Sequence, residues 1–298
     1  MNTQIRNLLA NISRSLPPFK GKTKLGLYII PLLTNYQSEN DCLVRVKMRN
    51  GSYMEIDLRS KCEKKSFFTG EYDDAIHQKL CDFLLPGEAV LDIGANIGFY
   101  STALGLGLKK KFNGGKLYAI EPILANYKRL ERMIKMNGLE GIVYPFNTAL
   151  GDMEGTVQFQ VEDQDGASTG NAAWLKEGNI TVREANCTCS ITRLDNFVEE
   201  QGIGTCCLIK MDVEGAELDV LTGGQRFIAK TRPIIFSEFN SYCANEFGYS
   251  FDDFKKNMTD LCYFPYNLRQ GKLLHMEEDI KGIFNVFWIP QEKLKTIS

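Results

Sequence analysis

Ala89-Val-Leu-Asp-Ile93 is a short apolar run that leads directly into Gly94-Ala-Asn-Ile-Gly98, and a helical pattern follows from about Ile97. A buried strand that turns into a helix over two glycines restricts the fold more than any other stretch of the chain. The alternation then repeats. Lys116 to Ile120 reads as the next strand, Asn126 to Met136 as a helix with Gly138 as its C-cap, and Ile142 to Leu150 as a third strand. Gly151 to Gly155 turns into an alternating strand, Val157 to Val161. Leu194 to Glu200 reads as a helix, Cys206 to Met211 as a fourth parallel-type strand, Ala216 to Ala229 as a helix and Ile234 to Phe239 as a fifth strand. Ser250 and Asp253 form a capping box that opens a helix to about Leu261, and Ile283 to Ile289 closes the chain as a strand. A helix from Tyr72 to Leu84, stopped by Pro86-Gly87, precedes the whole series. Alternating strands and helices predict an α/β sheet with helices on both faces. Such a sheet binds its ligand beyond the carboxyl ends of its strands, at the topological switch point.

The chain before this series has a different character. Residues 1 to 38 hold no Asp or Glu but carry Arg6, Arg14, Lys20, Lys22 and Lys24. Ile5, Leu8, Leu9, Ile12 and Leu16 fall at helical spacing, and Pro17-Pro18 ends that helix. The apolar run Leu25 to Leu33 starts too late and contains Pro31, so the order of a secretory signal is not met. This basic arm is expected to pack on the domain or on a second subunit, which would make a homo-oligomer; contact with a membrane surface is the other reading. Residues 42 to 58 predict a β-hairpin: Val44, Val46 and Met48 alternate, Asn50-Gly51 turns, and Met54, Ile56 and Leu58 alternate on the return. The expected division is an N-terminal extension over 1–66 and a ligand-binding domain over 67–298.

Composition excludes several function classes. The 298 residues carry 35 Lys+Arg against 37 Asp+Glu, a net charge of −2, whereas a nucleic-acid binder needs a basic excess. No apolar run approaches the length of a membrane-spanning helix. Nine cysteines in a chain of this length fit reduced thiols and a cytoplasmic location better than a disulfide scaffold. Cys187-x-Cys189 and Cys206-Cys207 lack the spacing of a zinc knuckle. His77 and His275 are the only histidines, which leaves little room for a Ser/His/Asp triad.

The glycine loop points to a nucleoside. Gly94 and Gly98 let the backbone bend and approach a ligand, and the helix beyond offers free N–H groups. Glu121 ends the second strand in Tyr-Ala-Ile-Glu121-Pro122, 23 residues beyond Gly98, where an acid accepts hydrogen bonds from ribose hydroxyls. A dinucleotide needs Gly-x-Gly-x-x-Gly to admit its pyrophosphate, and Asn96 stands where the second glycine belongs. S-adenosylmethionine has no pyrophosphate, and Asp92 suits its cationic end. A glycine turn in an unrelated α/β fold is the bland alternative.

The motifs together resemble the FkbM family of S-adenosylmethionine-dependent methyltransferases. The similar segments are Val90 to Ser101, Leu117 to Pro122, Asn137-Gly-Leu139, Asn147 to Asp152, Gly166-Ala-Ser168, Thr192 to Asp195 and Leu208 to Glu217, in the family's order over roughly residues 67 to 240. The block Lys210-Met-Asp-Val-Glu-Gly-Ala-Glu217 is the most family-specific. The resemblance implies a class I methyltransferase (Rossmann-like) fold, with a doubly wound, mostly parallel, seven-stranded sheet. It implies cofactor contacts at Asp92, Gly94, Asn96, Gly98 and Glu121, and a turn at Thr148-Ala149 against the adenine. Where the family often shows Tyr-Glu, this chain has Tyr72-Asp73.

Asp212, Glu214 and Glu217 follow the fourth strand, and Glu238 ends the fifth, so all four stand at the ligand end of the sheet. Methyl transfer to a hydroxyl needs a group to take the proton, and Asp212 or Glu238 is the candidate base. Lys210, two residues before Asp212, shares its side of the strand and is expected to orient a carboxylate. Asp212 and Glu238 with waters would also suit magnesium. Glu217 reads instead as an acid favouring the start of the next helix. Tyr100, Trp174, Phe239 and Tyr242 are candidate walls of an acceptor pocket, and Glu162 to Gly178 a candidate lid. The expected activity is O-methylation of a small molecule, sugar or natural-product scaffold. The competitors are an NAD-dependent oxidoreductase and a non-catalytic nucleoside-binding protein.

Overall fold

Asn50-Gly51 turns the chain between β1 (Leu43–Lys47) and β2 (Tyr53–Asp57), which pair antiparallel with Leu43 opposite Asp57. Gly51 takes the φ of +92° that this turn needs. The computed structural model describes residues 3–16, 42–161, 172–175, 187–276 and 282–296. Helix α1 (Thr3–Ser15) precedes the hairpin; α2 (Lys61–Thr69) and α3 (Asp74–Asp82) come after it. Ser60 caps α2 by accepting from the Glu63 N–H, and Gly70 ends it in the left-handed region.

The hairpin does not stand apart from the main domain. Val46, Met54, Ile56, Leu58 and Phe67 share one core with Ile97, Phe99 and Met133. A buried ion pair, Arg129 to Glu63 at 2.6 Å, ties α2 to the main domain. The boundary expected between residues 66 and 67 therefore runs through the middle of α2.

The main sheet uses β3 (Ala89–Ile93), β4 (Lys116–Ile120), β5 (Val143–Phe146), β10 (Cys206–Met211), β11 (Ile234–Asn240), β12 (Tyr263–Arg269), β13 (Lys272–His275) and β14 (Ile283–Pro290). Their spatial order is β13-β12-β14-β11-β10-β3-β4-β5. β11, β10, β3, β4 and β5 run parallel, and β14 inserts antiparallel beside β11. This is the doubly wound class I arrangement, with its switch point between β3 and β10. The sheet has one strand more than the seven expected; the eighth, β13, is a hairpin return that lengthens the β12 edge. The connections are α4 (Phe99–Phe112), α5 (Leu124–Met136), α6 (Leu194–Glu200), α7 (Glu217–Gly223), α8 (Gln225–Thr231), α9 (Ser241–Glu246) and α10 (Phe251–Asp260).

Both sheet faces are covered. Leu91, Ile93, Ile209, Met211 and Trp288 pack on one side; Val90, Leu208, Phe236 and Phe287 pack on the other. Each such side chain, fully buried, contributes roughly 1.5–3 kcal/mol. That is why β3 and β10 are apolar along almost their whole length rather than alternating.

Two elements differ from the sequence expectation. The strand expected over Ile142 to Leu150 breaks at Asn147, whose side-chain amide donates to the backbone of Glu121 and Pro122, each at 2.9 Å. Beyond the break, β6 (Ala149–Gly151) joins a second sheet with β7 (Gly155–Val161), β8 (Ala172–Leu175) and β9 (Cys187–Arg193), ordered β6-β9-β7-β8. The helix expected over Ala216 to Ala229 is two helices, because Gly223 and Gly224 sit against Gly151 and Leu194 with no room for a Cβ. Gly166-Ala-Ser168, the apolar run Leu25 to Leu33 and nearly all of Glu162 to Gly178 lie outside the described residues. All nine cysteines are free thiols. No helix among the described residues is long and apolar enough to cross a membrane.

Candidate active site

The loop from Asp92 to Gly98 works as the sequence suggests at its glycines. Gly94 has φ +73°, and a Cβ there would land on the Asp212 carbonyl oxygen. Gly98, at φ +97°, caps the start of α4. Asn96 also takes a positive φ, of +50°, and its N–H donates to the Glu121 carboxylate at 2.8 Å. The other Glu121 oxygen accepts from the Ile123 N–H at 3.0 Å and from Asn126 at 3.3 Å. Burial pushes the Glu121 carboxyl up to about 7, against the pull of these bonds.

Glu121 stands on the wall of a cleft that opens to solvent. Gly94, Asn96, Asn126, Thr148, Ala149, Phe159, Asp212 and Glu214 also line it. Thr148 is held by β9, donating to the Ser190 carbonyl at 3.1 Å. Phe159 is a wall residue that the sequence reading misses; the signal for it is its inward place in the alternation Val157, Phe159, Val161.

Asp92 is placed differently from the expectation that it touches the ligand. It has no exposed surface, and its carboxylate meets Lys210 at 3.1 Å and the Ser101 hydroxyl at 2.5 Å. Lys210 is likewise buried and donates to the Gly94 carbonyl at 2.6 Å. Burial opposes its charge, yet Asp92 and Asp212 keep its pKa above the ordinary lysine value. Lys210 thus links β3, the glycine loop and, at 3.9 Å, Asp212. It is buried beneath the loop and away from the cleft wall.

The acids cluster where strands β10 and β11 end. Met211 pairs with Ser237, so Asp212, the first residue past β10, comes beside Glu238, which lies within β11 and pairs with Asn285 of β14. Burial, then the charges of Asp212 and Glu214, push Glu238 up to about 8. Burial and Asp212 push Glu214 up to about 7. Burial also raises Asp212, opposed by Lys210 and reinforced by Asp92 and Asp73. Glu217 stands apart: in the first turn of α7, it accepts from the Val213 and Gly215 N–H groups and from the Tyr249 hydroxyl at 2.9 Å, so it braces the turn that leads into the helix. Its structural reading is the one that fits.

A further group of side chains near the acids comes from the chain before β3 and the start of α4. Tyr72 stacks on Phe99 at 4.0 Å, and the Tyr100 hydroxyl donates to Asp73 at 3.1 Å. Asp73 also takes a positive φ, of +49°. The charges of Asp212, Asp73 and Glu238 all act on the Tyr72 hydroxyl and, after burial, raise its pKa. Of the aromatic candidates, Tyr100 belongs to this group and is buried in the core. Phe239 does not: it points to the opposite face from Glu238 and packs on Phe251 at 5.0 Å and on Phe254. Tyr242 is 74% exposed. The side chain of Trp174 lies outside the described residues. Among the described residues, no group of three or more His, Cys, Asp or Glu side chains is arranged to hold a metal ion.

Residues 92–265 match the model of the methyltransferase FkbM domain, which is more than half of the chain. The chain belongs to the FkbM methyltransferase family. Among curated relatives, the 2-O-methyltransferase NoeI of Sinorhizobium fredii is 29% identical over 178 residues, 55% of this chain and 69% of that protein. The methyltransferase sdnD of Sordaria araneosa is 30% identical over 157 residues, 45% of this chain and 59% of that protein. The antimetabolite synthetase AmbE of Pseudomonas aeruginosa is 24% identical, over 62% of this chain and 10% of its own length. The match to these last two thus spans less than two thirds of their length. Among solved structures, the FkbM methyltransferase of Methylobacillus flagellatus is 16% identical, with a TM-score of 0.41 over 75% of this chain and 52% of that one.

Proposed function

We propose that this FkbM-family chain uses S-adenosylmethionine to O-methylate a hydroxyl of a small-molecule acceptor. The observation that carries the reading is a cleft lined by a buried carboxylate, Glu121, and by two further carboxylates, Asp212 and Glu214. The residues suit that cofactor. Glu121, which already accepts three hydrogen bonds, keeps an acceptor site on one oxygen for a ribose hydroxyl, Gly94 admits close backbone approach, and Ile120, Leu150 and Phe159 offer an apolar bed for the adenine. Asn96 stands where a dinucleotide loop has its second glycine, and its backbone N–H is already bound to Glu121. Bound there, S-adenosylmethionine supplies an electrophilic methyl carbon.

The chain's own residues do the rest. Asp212 lines the cofactor cleft and is steadied by Lys210. Glu238, with a carboxyl poised near neutral pH, accepts the proton of the acceptor hydroxyl as the new C–O bond forms. Asp73, Tyr72 and Tyr100 form the group beside the acids that holds the acceptor in line. Lys210 is a positioning residue. The relative NoeI, a 2-O-methyltransferase, supports a hydroxyl as the acceptor group.

The test is a comparison of Glu238→Gln with wild type on an acceptor found by screening sugars and polyols with methyl-labelled cofactor. Glu238→Gln is expected to lower kcat about 100-fold or more while leaving cofactor affinity within about twofold. Unchanged kcat would remove Glu238 from the reaction.

A further inference from the structure

Glu121 is only 4% exposed, and the hydrogen bonds it accepts among the described residues come from neutral groups. Oε2 accepts from the Asn96 N–H; Oε1 accepts from the Ile123 N–H and from the Asn126 amide. Two of these donors are backbone groups. Their places are set by the glycine loop and by the chain entering α5, and any residue but proline would supply them. Asn126 is the side chain among the three. It is the third residue of α5, it lines the cleft, and it is 1% exposed. A buried amide costs free energy unless it is bonded. This one is turned to Glu121 at 3.3 Å.

That bond has two consequences. It fills Oε1, so the acceptor site that remains is on Oε2, beside Asn96. It also favours the ionised carboxylate, because a proton on Glu121 would face N–H groups that can only donate. The balance is close. Burial pushes the Glu121 carboxyl up to about 7, and the three donors oppose it. The other titratable or charged groups that act on Glu121 come from two strands. Lys210 on β10 favours its charge, and Cys187 and Cys189 on β9 are thiols that burial keeps protonated. Removing one donor from so even a balance shifts the pH at which Glu121 can accept a ligand hydroxyl.

We propose that Asn126 is a positioning residue for cofactor binding: its amide holds one oxygen of Glu121 so that the other, in its accepting form, meets a ribose hydroxyl, a role that rests on the S-adenosylmethionine reading of the cleft. The test is calorimetric titration of the full chain with the demethylated product of S-adenosylmethionine, from about pH 5.5 to 8.5, on wild type, Asn126→Ala and Asn126→Asp. Wild-type affinity is expected to fall as the pH drops through about 7. In Asn126→Ala that fall moves up by about one pH unit, so binding is about tenfold weaker near pH 7 and within about threefold of wild type at the alkaline end. Asn126→Asp keeps the side-chain size but sets a second carboxylate against Glu121, and the fall moves higher still. Binding at the alkaline end shows that each variant is folded. A loss of the same size at every pH in both variants would make Asn126 a packing residue and overturn the proposal. So would wild-type affinity in Asn126→Ala across the whole range. Either result leaves the cofactor reading standing, because wild type still binds. No binding by folded wild type at any pH would overturn the cofactor reading and the role of Asn126 with it.

Discussion

Replacing Lys210 by Met isolates the pair that holds the site together. The lysine is 2% exposed, its ammonium is 3.1 Å from a fully buried Asp92, and it also donates to the Gly94 carbonyl. Methionine fills similar volume without the charge. Asp92 then keeps only the Ser101 hydroxyl. Stranding one member of a buried ion pair costs about 3–5 kcal/mol. At roughly 2–4 °C per kcal/mol for a domain of this size, the melting midpoint falls by roughly 6–20 °C. The double variant Lys210→Met/Asp92→Asn removes the stranded charge and is expected to recover about 1–3 kcal/mol. Urea and thermal unfolding of wild type, both single variants and the double variant measure this. A loss below about 1 kcal/mol in Lys210→Met, with no recovery in the double, would refute the assignment of this pair as a structural tie.

Two further outcomes concern the cleft. Glu121→Ala is expected to weaken S-adenosylmethionine binding about 100-fold, since hydrogen bonds to a charged group contribute about 1.5–3 kcal/mol each; equal affinity in calorimetry would remove Glu121 from the ribose contact. Glu238 must be ionised to accept a proton, and its carboxyl is pushed up to about 8, so kcat should climb with pH and level off near or above that value. The climb should disappear in Glu238→Gln; its survival there would assign the ionisation to another group.

The sheet was legible because each parallel strand carries its own message. Ala89–Ile93 and Cys206–Met211 are buried along their length, and a continuous apolar run between glycine turns is what such strands require. The same locality made Gly94, Asn96, Glu121, Asp212 and Glu238 readable as one site, since all stand at strand ends on one edge. Features that depend on distant partners were not legible. Helix α2 has few apolar residues and persists through the Glu63–Arg129 pair, 66 residues apart. The strand break at Asn147 depends on bonds back to Glu121 and Pro122. Asp92 read as ligand-facing, whereas it is neutralised by Lys210 beneath the loop. The assignment of Phe239 to the acceptor pocket overlooked strand alternation: if Glu238 faces the site, Phe239 must face the core.

Calorimetric titration of the purified chain with S-adenosylmethionine, with its demethylated product and with NAD tests the central claim most directly. The cleft's Glu121, close-packed Gly94 and Asn96, in place of a second glycine, predict binding of the first two and none of NAD. Binding of NAD by the folded protein, or no binding of either sulfonium or product, would contradict it.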